Sequence, residues 1–354
     1  MRQRGSVRLR YLMCTLLLVE GFARTVFLVP ALSERVSVPD QFGWRRRWVA
    51  RHSGRAGPNQ YSFDRYDSAT GWRTRSNIRN LRVFGGKELN TNADGFRGTR
   101  DFSVKKDTAK TRILLLGDSF TFGEDVSDDE TYAHHLEQLL PNVEVLNLGV
   151  HGYGHDQMLA LLTDVGVRYK PDVVLLGFVA ADMSRNTLRF RDYAKSWYTL
   201  NGDSLVRRGT PVATPEEILR WDWVRPRTID LGSAIWERIQ SARSRRAAQE
   251  AITSALLANI IGVTLSVGAQ PVIVYLPDNS ELADTVSVPQ MEQWLHVECL
   301  RLQQTPCSSV RPYMQAHRAQ ATSTAVRGHW NAEEHRAAAG AIAALLVSAA
   351  LVHH

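Results

Sequence analysis

Short, almost uninterrupted apolar runs recur along the chain and alternate with longer stretches in which apolar and polar residues mix. The runs cover residues 112–117, 143–149, 171–179 and 270–277. The mixed stretches with helical spacing of apolar residues cover 128–140, 154–169 and 245–268. Strands that lack polar alternation are buried on both faces, and strands that alternate with helices form parallel sheets. The pattern therefore predicts an α/β fold with a parallel sheet between two helical layers.

The N-terminal residues have the pattern of a targeting segment. An apolar span over 11–32 follows four basic residues, Arg2, Arg4, Arg8 and Arg10. The span is long enough to cross a bilayer as a helix. Glu20 and Arg24 interrupt it, but their spacing of four allows them to pair. We expect an uncleaved signal anchor within residues 1–36, although the basic segment 44–51 weakens the positive-inside bias. A cleaved signal and an amphipathic helix packed on a soluble domain stay open.

The rest of the chain divides into a lead-in and a main domain. Residues 37–106 carry turn residues without a sustained helical period, which predicts short strands and loops. Residues 107–354 form the main domain, and 187–244 interrupt its alternation as an insertion of short strands, a helix and loops. The net charge is +7 and 44% of residues are hydrophobic. No nucleic-acid motif accompanies the charge, so nucleic acid is at most a weak alternative partner.

The tripeptide Gly117-Asp118-Ser119 ends the first strong strand. In open α/β sheets, ligands bind beyond the carboxyl ends of the strands. Ser119 is thus either a nucleophile beside turn amides that stabilise an oxyanion, or an ordinary turn hydroxyl. The pattern differs from the G-x-S-x-G nucleophile elbow, because Thr121 stands where that motif has its second glycine. The tripeptide alone does not decide between the two interpretations.

Three further segments follow strands or precede the last helix. They are NLGVHGYGHDQ at 147–157, GFVAADMSRN at 177–186 and RGHWNAEEHRAAA at 327–339. With GDSFTFG, these segments resemble the four blocks of the SGNH, or GDSL-like, hydrolase superfamily, and YDSATGWRTRSN resembles the lead-in of its membrane-associated or secreted bacterial branch. The resemblance covers about residues 66–350. It implies a flavodoxin-like three-layer α/β/α sandwich, hydrolysis or transfer of acyl esters, and no cofactor or metal.

The resemblance implies roles for particular residues. Ser119 matches the nucleophile, and its amide would form part of the oxyanion hole. Gly152 matches a second oxyanion donor, and His329 matches the general base. Asp118 and Asp182 are possible substrate-binding residues. In the structural interpretation, His329 caps the Ala-rich helix that follows Asn331. We expect His335 to lie on that helix and to be structural.

Two departures from the superfamily pattern bear on activity. The third block usually carries an Asn oxyanion donor, but Ala181 stands there, and the ionised Asp182 beside it is only an acceptor. The last block usually carries an Asp shortly before the histidine, where this chain has Val326 and Arg327. The triad acid must come from elsewhere, and the unranked candidates are Asp156, Asp278, Glu333 and Glu334. A catalytically degenerate binding protein is the alternative.

The partners expected are an acyl ester, which the resemblance suggests is carried on an envelope glycan, and a membrane through the N-terminal helix. The protein is then anchored and faces the periplasm or cell exterior. Cys299 and Cys307 stand eight residues apart, and Pro306 forces a turn between helix and loop. An oxidising compartment would join such a pair. We predict this disulfide, with two free buried thiols as the alternative.

Overall fold

The structure, a computed structural model, describes residues 2–29, 31–32, 36, 41–52, 61–202, 204–302, 305–318 and 328–352. The strands are β1 (Asp64–Asp67), β2 (Gly71–Thr74), β3 (Leu81–Val83), β4 (Lys87–Leu89), β5 (Thr111–Leu116), β6 (Val143–Asn147), β7 (Val173–Phe178), β8 (Trp197–Asn201), β9 (Ser204–Arg208), β10 (Gln270–Tyr275) and β11 (Cys307–Ser309). The helices are α1 (Arg2–Leu28), α2 (Gln41–His52), α3 (Ser119–Phe122), α4 (Tyr132–Leu139), α5 (His155–Asp164), α6 (Asp182–Arg185), α7 (Pro215–Asp222), α8 (Arg227–Ile239), α9 (Ala242–Ser266), α10 (Asn279–Ala283), α11 (Gln290–Arg301), α12 (Arg311–Arg318) and α13 (Ala332–Ser348).

A parallel five-stranded sheet forms the centre of the main domain. Its order is β11-β10-β7-β5-β6. When these five strands are numbered 1 to 5 as they occur along the chain, the order from the β6 edge is 2-1-3-4-5. This is the flavodoxin-like order, and its direction reverses between β5 and β7. Ligand sites of doubly wound sheets lie at such a reversal, beyond the carboxyl ends of the strands. The predicted α/β sandwich is confirmed, and Ser119 directly follows the strand at the reversal.

The apolar runs form strands because both of their faces are covered. Leu114 and Leu116 pack in one core with side chains of α5 and α9, whereas Ile113 and Leu115 pack in a second core with α4 and α13. All four side chains have no exposed surface. Burial of each contributes roughly 1.5–3 kcal/mol. Successive side chains of a strand point to opposite faces, so one run supplies both cores.

The fifth strand, β11, was not predicted, because three residues are too short for a recognisable apolar run. It pairs with β10 in parallel, and Ile273 lies opposite Cys307. The disulfide between Cys299 and Cys307 joins α11 to this edge strand, with 6.2 Å between the two Cα atoms. The predicted bridge is thus confirmed.

The lead-in and the insertion differ in part from the short strands, loops and single helix expected. The antiparallel hairpins β1–β2 and β3–β4 fit, but residues 41–52 are helical, and Trp48 of that helix is fully buried in the main core. The insertion holds the hairpin β8–β9 and two helices, α7 and α8. Thr214 caps α7 with a reciprocal Glu217 contact, a capping box that its sequence TPEE encodes.

Two of the described helices are long and apolar enough to span a membrane, α1 over Val7–Leu28 and α9. The apolar side of α9 is buried against the sheet, which is the position of a core helix. By contrast, most apolar side chains of α1 are exposed. The predicted pairing within α1 is present, since Arg24 Nε lies 2.8 Å from Glu20 Oε1.

Candidate active site

Ser119 lies at the first position of the short helix α3, one tight turn after β5. The Asp118 carboxylate caps this helix by accepting a hydrogen bond from the Phe120 amide at 3.0 Å. Glycines allow the close packing that the turn requires. A Cβ on Gly117 would lie 2.0 Å from Thr121 Oγ1, and one on Gly149 would lie 2.3 Å from the Phe122 nitrogen. Small residues at both strand ends therefore seat the serine between β5 and β6.

The structure brings Ser119 and His329 together across 210 residues of sequence. The Ser119 Oγ lies 2.8 Å from His329 Nε2. Asn279 Nδ2 donates to the His329 carbonyl at 3.1 Å, and the Phe120 ring lies 5.1 Å from the imidazole. The next residue, Trp330, is fully buried and donates to the Pro277 carbonyl at 2.9 Å. The imidazole is therefore held in position for proton transfer with the serine.

Two adjacent carboxylates face the other ring nitrogen of His329. Glu124 Oε2 lies 3.5 Å and Asp125 Oδ2 lies 3.6 Å from Nδ1. The Glu124 side chain is 6% exposed, whereas that of Asp125 is 45% exposed. Gly123 makes the turn that returns them to the histidine, because it adopts a left-handed φ of 88°. The acid that orients the imidazole in a serine triad stands at this position.

None of the four acids proposed from the sequence lies at His329. Asp156 forms a fully buried pair with Lys195. The carboxylates of Asp278 and Glu334 cap α10 and α13, while Glu333 is exposed. That position beside His329 is instead occupied by Glu124 and Asp125, which follow Ser119 by only five and six residues, so the four predicted acids are wrong. Residues 326 and 327, where the superfamily acid was sought, lie outside the described residues.

The charges around His329 favour its protonated form. Burial opposes protonation, but the carboxylates of Asp125, Glu124 and Asp118 outweigh it and raise the pKa of the imidazole. Burial raises the pKa of Glu124, against the attraction of His151 and His329. The hydrogen bond with His329 lowers the pKa of Asp125. An imidazolium formed during catalysis would thus be stabilised.

Asp118 and Asp182 meet beside the serine at one guanidinium. Arg185 Nη1 donates to Asp118 Oδ2 at 3.0 Å, to the Tyr153 carbonyl at 2.9 Å and to Asp182. Burial and the neighbouring Asp118 raise the pKa of Asp182 well above its usual range. Both carboxyl side chains have no exposed surface. Both carboxylates hold Arg185 in place, and their part in substrate binding stays a prediction.

Gly152 and Ala181 are the two further positions that bear on the oxyanion hole. Gly152 is buried with a φ of 73°, and no hydrogen bond from its amide is found among the described residues. A Cβ there would lie 2.8 Å from Asp192 Oδ2, so a side chain would not fit without a shift. Ala181 is exposed just before α6. The oxyanion roles of the Ser119 and Gly152 amides stay predictions.

His335 has the structural role expected of it. It is fully buried on α13, and its Nδ1 accepts a hydrogen bond from the Tyr132 amide at 3.2 Å. Burial lowers its pKa to about 3. This histidine is therefore neutral and joins α13 to α4.

No family model and no curated protein matches the sequence. Among solved structures, the chain is similar to a lipolytic protein of the G-D-S-L family from Desulfitobacterium hafniense, with 12% identity, a TM-score of 0.38 and coverage of 67% of this chain and 100% of that one. It is also similar to the esterase EstA from Pseudoalteromonas, with 10% identity, a TM-score of 0.39 and coverage of 68% and 98%. A catalytic mutant of the acetylxylan esterase Axe2 from Geobacillus stearothermophilus shows 13% identity, a TM-score of 0.40 and coverage of 70% and 99%.

The names of these three neighbours are those of a G-D-S-L family lipolytic protein and two esterases. At such identities the likeness concerns the fold alone. The fold assignment rests on the strand order of the sheet, and the site assignment rests on the contacts around Ser119.

Proposed function

We propose that this protein is a serine ester hydrolase of the SGNH type that forms an acyl-enzyme on Ser119. The observation that carries the proposal is the 2.8 Å separation between Ser119 Oγ and His329 Nε2 at the carboxyl end of β5. The carboxylates of Glu124 and Asp125 at Nδ1 supply the acidic side of a triad. The absence of an Asp shortly before His329 therefore does not by itself make the site catalytically inactive.

In the proposed reaction, Ser119 Oγ attacks the acyl carbonyl carbon while His329 Nε2 takes the serine proton. The carbonyl oxygen becomes an oxyanion, to which the amides of Ser119 and Gly152 would donate. The ester C–O bond then breaks, and the imidazolium returns its proton to the departing alcohol. Water repeats the sequence on the acyl-enzyme, which releases a carboxylic acid and free Ser119. Glu124 and Asp125 would stabilise the imidazolium of His329 in both steps, the formation and the hydrolysis of the acyl-enzyme.

The test is the hydrolysis of a panel of p-nitrophenyl acyl esters by the full chain. We expect Ser119→Ala and His329→Gln each to lose at least about 10³-fold in kcat/KM. Ser184→Ala and His317→Gln are matched controls, because both side chains are exposed and, within the described part of the chain, each hydrogen-bonds to a backbone carbonyl of its own helical segment. They should keep the wild-type rate. Hydrolysis that is unchanged in Ser119→Ala would refute the proposal.

We further propose that the protein is anchored by α1 and faces the periplasm or cell exterior, where it acts on acylated envelope glycans. Support comes from the Arg-rich start before an exposed apolar helix and from the Cys299–Cys307 disulfide, which an oxidising compartment favours. The glycan class rests on the resemblance to the bacterial branch.

An O-acyltransferase would use the same acyl-enzyme and pass the acyl group to an alcohol instead of water. Adding an oligosaccharide acceptor to the ester assay separates the two reactions, because only a transferase makes an acylated sugar in proportion to ester consumed. A degenerate binding protein would hydrolyse none of the panel.

A further inference from the structure

The Glu124 carboxylate stands between two histidines, His329 and His151. Its Oε2 lies 3.5 Å from His329 Nδ1, and its Oε1 lies 3.9 Å from His151 Nδ1. One carboxylate oxygen is therefore directed to each imidazole. The side chains of Glu124 and His151 are 6% and 2% exposed, so this second contact is almost closed to solvent.

The lead-in hairpin β1–β2 holds His151 at its ring and at its backbone. His151 Nε2 lies 2.7 Å from Asp64 Oδ1 of β1, and the Asp64 side chain has no exposed surface. On β2, Trp72 Nε1 donates to the His151 carbonyl at 3.1 Å. The Tyr61 ring packs edge-on at 4.5 Å from the imidazole. The position of His151 thus depends on residues far from it in sequence, in a different part of the chain.

Both ring nitrogens of His151 face carboxylates. A neutral imidazole has only one N–H and could donate to only one of them, whereas an imidazolium has a donor for each. The imidazolium would also place a positive charge between the buried carboxylates of Asp64 and Glu124. Buried charges persist only when they are paired, so this arrangement favours the charged form of all three groups.

Glu124 needs this neighbour before the reaction begins. Burial raises the pKa of Glu124, and the attraction of His151 and His329 lowers it. His329 must be neutral to accept the serine proton, so it supplies no positive charge in the resting enzyme. The charge of His151 is present at that stage. It keeps Glu124 ionised until the imidazolium of His329 forms and needs an anion beside it.

The backbone that carries Glu124 is held by a separate set of contacts. Arg97 of the lead-in, with a side chain that is 2% exposed, donates to three carbonyls of this turn. They belong to Phe122, Gly123 and Val126, at 3.2, 3.0 and 2.8 Å. A change of charge in the hairpin β1–β2 leaves these contacts in place. Its effect on the site is therefore an effect on the Glu124 carboxylate.

We propose that Asp64 and His151 are positioning residues for the triad acid. Asp64 holds the His151 imidazole, which in turn keeps the Glu124 carboxylate charged and directed at the catalytic base. This inference rests on the proposed hydrolase, in which Glu124 is the acid. It makes the lead-in hairpin a functional part of the active site, in addition to its packing against the main domain.

Other charged groups also act on this line of residues. Besides the two histidines, those that interact with Glu124 are Asp118, Asp125, Arg97, Arg185 and Arg191. Those that interact with His329, besides Glu124, are Asp118, Asp125 and His335. Arg75 interacts with Asp64. None of these groups is altered in Asp64→Asn, so a change in the titration of His329 in that variant reports on the line itself.

The test compares Asp64→Asn with the control Asp67→Asn in the full chain. Both replace a carboxylate of β1 by an amide of the same shape, but Asp67 accepts hydrogen bonds from the Ala69 and Thr70 amides within the β1–β2 turn. We expect Asp64→Asn to lower kcat by about tenfold or more with KM unchanged, as for a group that acts in the transition state. Asp67→Asn should keep the wild-type kcat.

The physical cause of the loss is read from the pKa of the His329 imidazole, measured by NMR with histidine-labelled protein. The signal is identified by its absence in His329→Gln. Asp64→Asn should lower the pKa of His329, because Glu124 becomes less ionised. The same substitution in a Glu124→Gln background should leave the pKa of His329 unchanged, since the charge through which Asp64 acts is gone.

Wild-type kcat and an unchanged His329 titration in a folded Asp64→Asn protein would overturn the positioning role. A pKa shift of equal size with and without the Glu124 carboxylate would overturn it as well. If Asp64→Asn does not fold, His151→Gln is compared in its place, because it removes the same positive charge; it retains a donor and should keep more activity than His151→Phe. Hydrolysis that does not depend on Ser119 would instead overturn the proposed hydrolase. The NMR titration needs no turnover, so it separates the two failures.

Discussion

The two carboxylates at His329 differ in burial, and this difference predicts which one acts as the triad acid. Replacing Glu124 by Gln keeps the shape of the side chain but removes its charge. At 3.5 Å from Nδ1 and an effective dielectric constant of about 20, the lost attraction to an imidazolium is about 5 kcal/mol. Such a loss in the transition state corresponds to about 10³–10⁴-fold in kcat.

Asp125 lies at nearly the same distance, but 45% of its side chain is exposed. Water screens that charge, so the attraction lost in Asp125→Asn is about 1 kcal/mol, or roughly fivefold in kcat. The assay is steady-state hydrolysis of a p-nitrophenyl ester by both variants, with circular dichroism as a check of folding. A larger loss in Asp125→Asn than in Glu124→Gln would refute the assignment of Glu124.

Further outcomes are expected from the site and the anchor. The double variant Ser119→Ala/His329→Ala should lose no more kcat than either single variant, because the two residues act as one unit, and additive losses would contradict this. The kcat/KM should fall as pH drops through a value above about 6.5, because His329 must be neutral to act as the base and its pKa is raised. Asp125→Asn should lower the pKa of His329 and so move this fall in kcat/KM to lower pH. Ala181→Asn should raise kcat by adding an oxyanion donor, and a folded variant without a gain would count against that alignment. A reporter fused to the C-terminus should be active outside the cytoplasm, whereas activity only inside would reject the orientation.

The central sheet was predictable because its strands are buried on both faces. Neighbouring residues such as Leu114 and Leu115 pack into the two different cores on opposite faces of the sheet. Such a strand needs an unbroken run of apolar residues, and this run is visible in the sequence. The helix at 41–52 was not predicted, because its many arginines obscure the apolar pattern of the one helix face that carries Trp48. Its signal was the spacing of Trp44 and Trp48 by four residues.

The residues of the site also divide into those that the sequence predicts and those that it does not. Ser119 and His329 were predicted because block motifs mark them at a strand end and before a helix. Glu124 was not predicted, since its role depends on the left-handed turn at Gly123, which brings its carboxylate back to His329. The contribution of Asp64 depends on how the lead-in folds over the sheet, and no local pattern encodes that contact.

The central claim, that Ser119 is an activated nucleophile, is tested most directly by mass spectrometry after reaction with a fluorophosphonate ester. We predict that the wild-type full chain gains one phosphonyl group, located on the peptide that contains Ser119. We also predict that Ser119→Ala and His329→Gln gain none, while Ser184→Ala is labelled like wild type. Labelling that is absent from the folded wild-type protein, or that persists in Ser119→Ala, would contradict the claim.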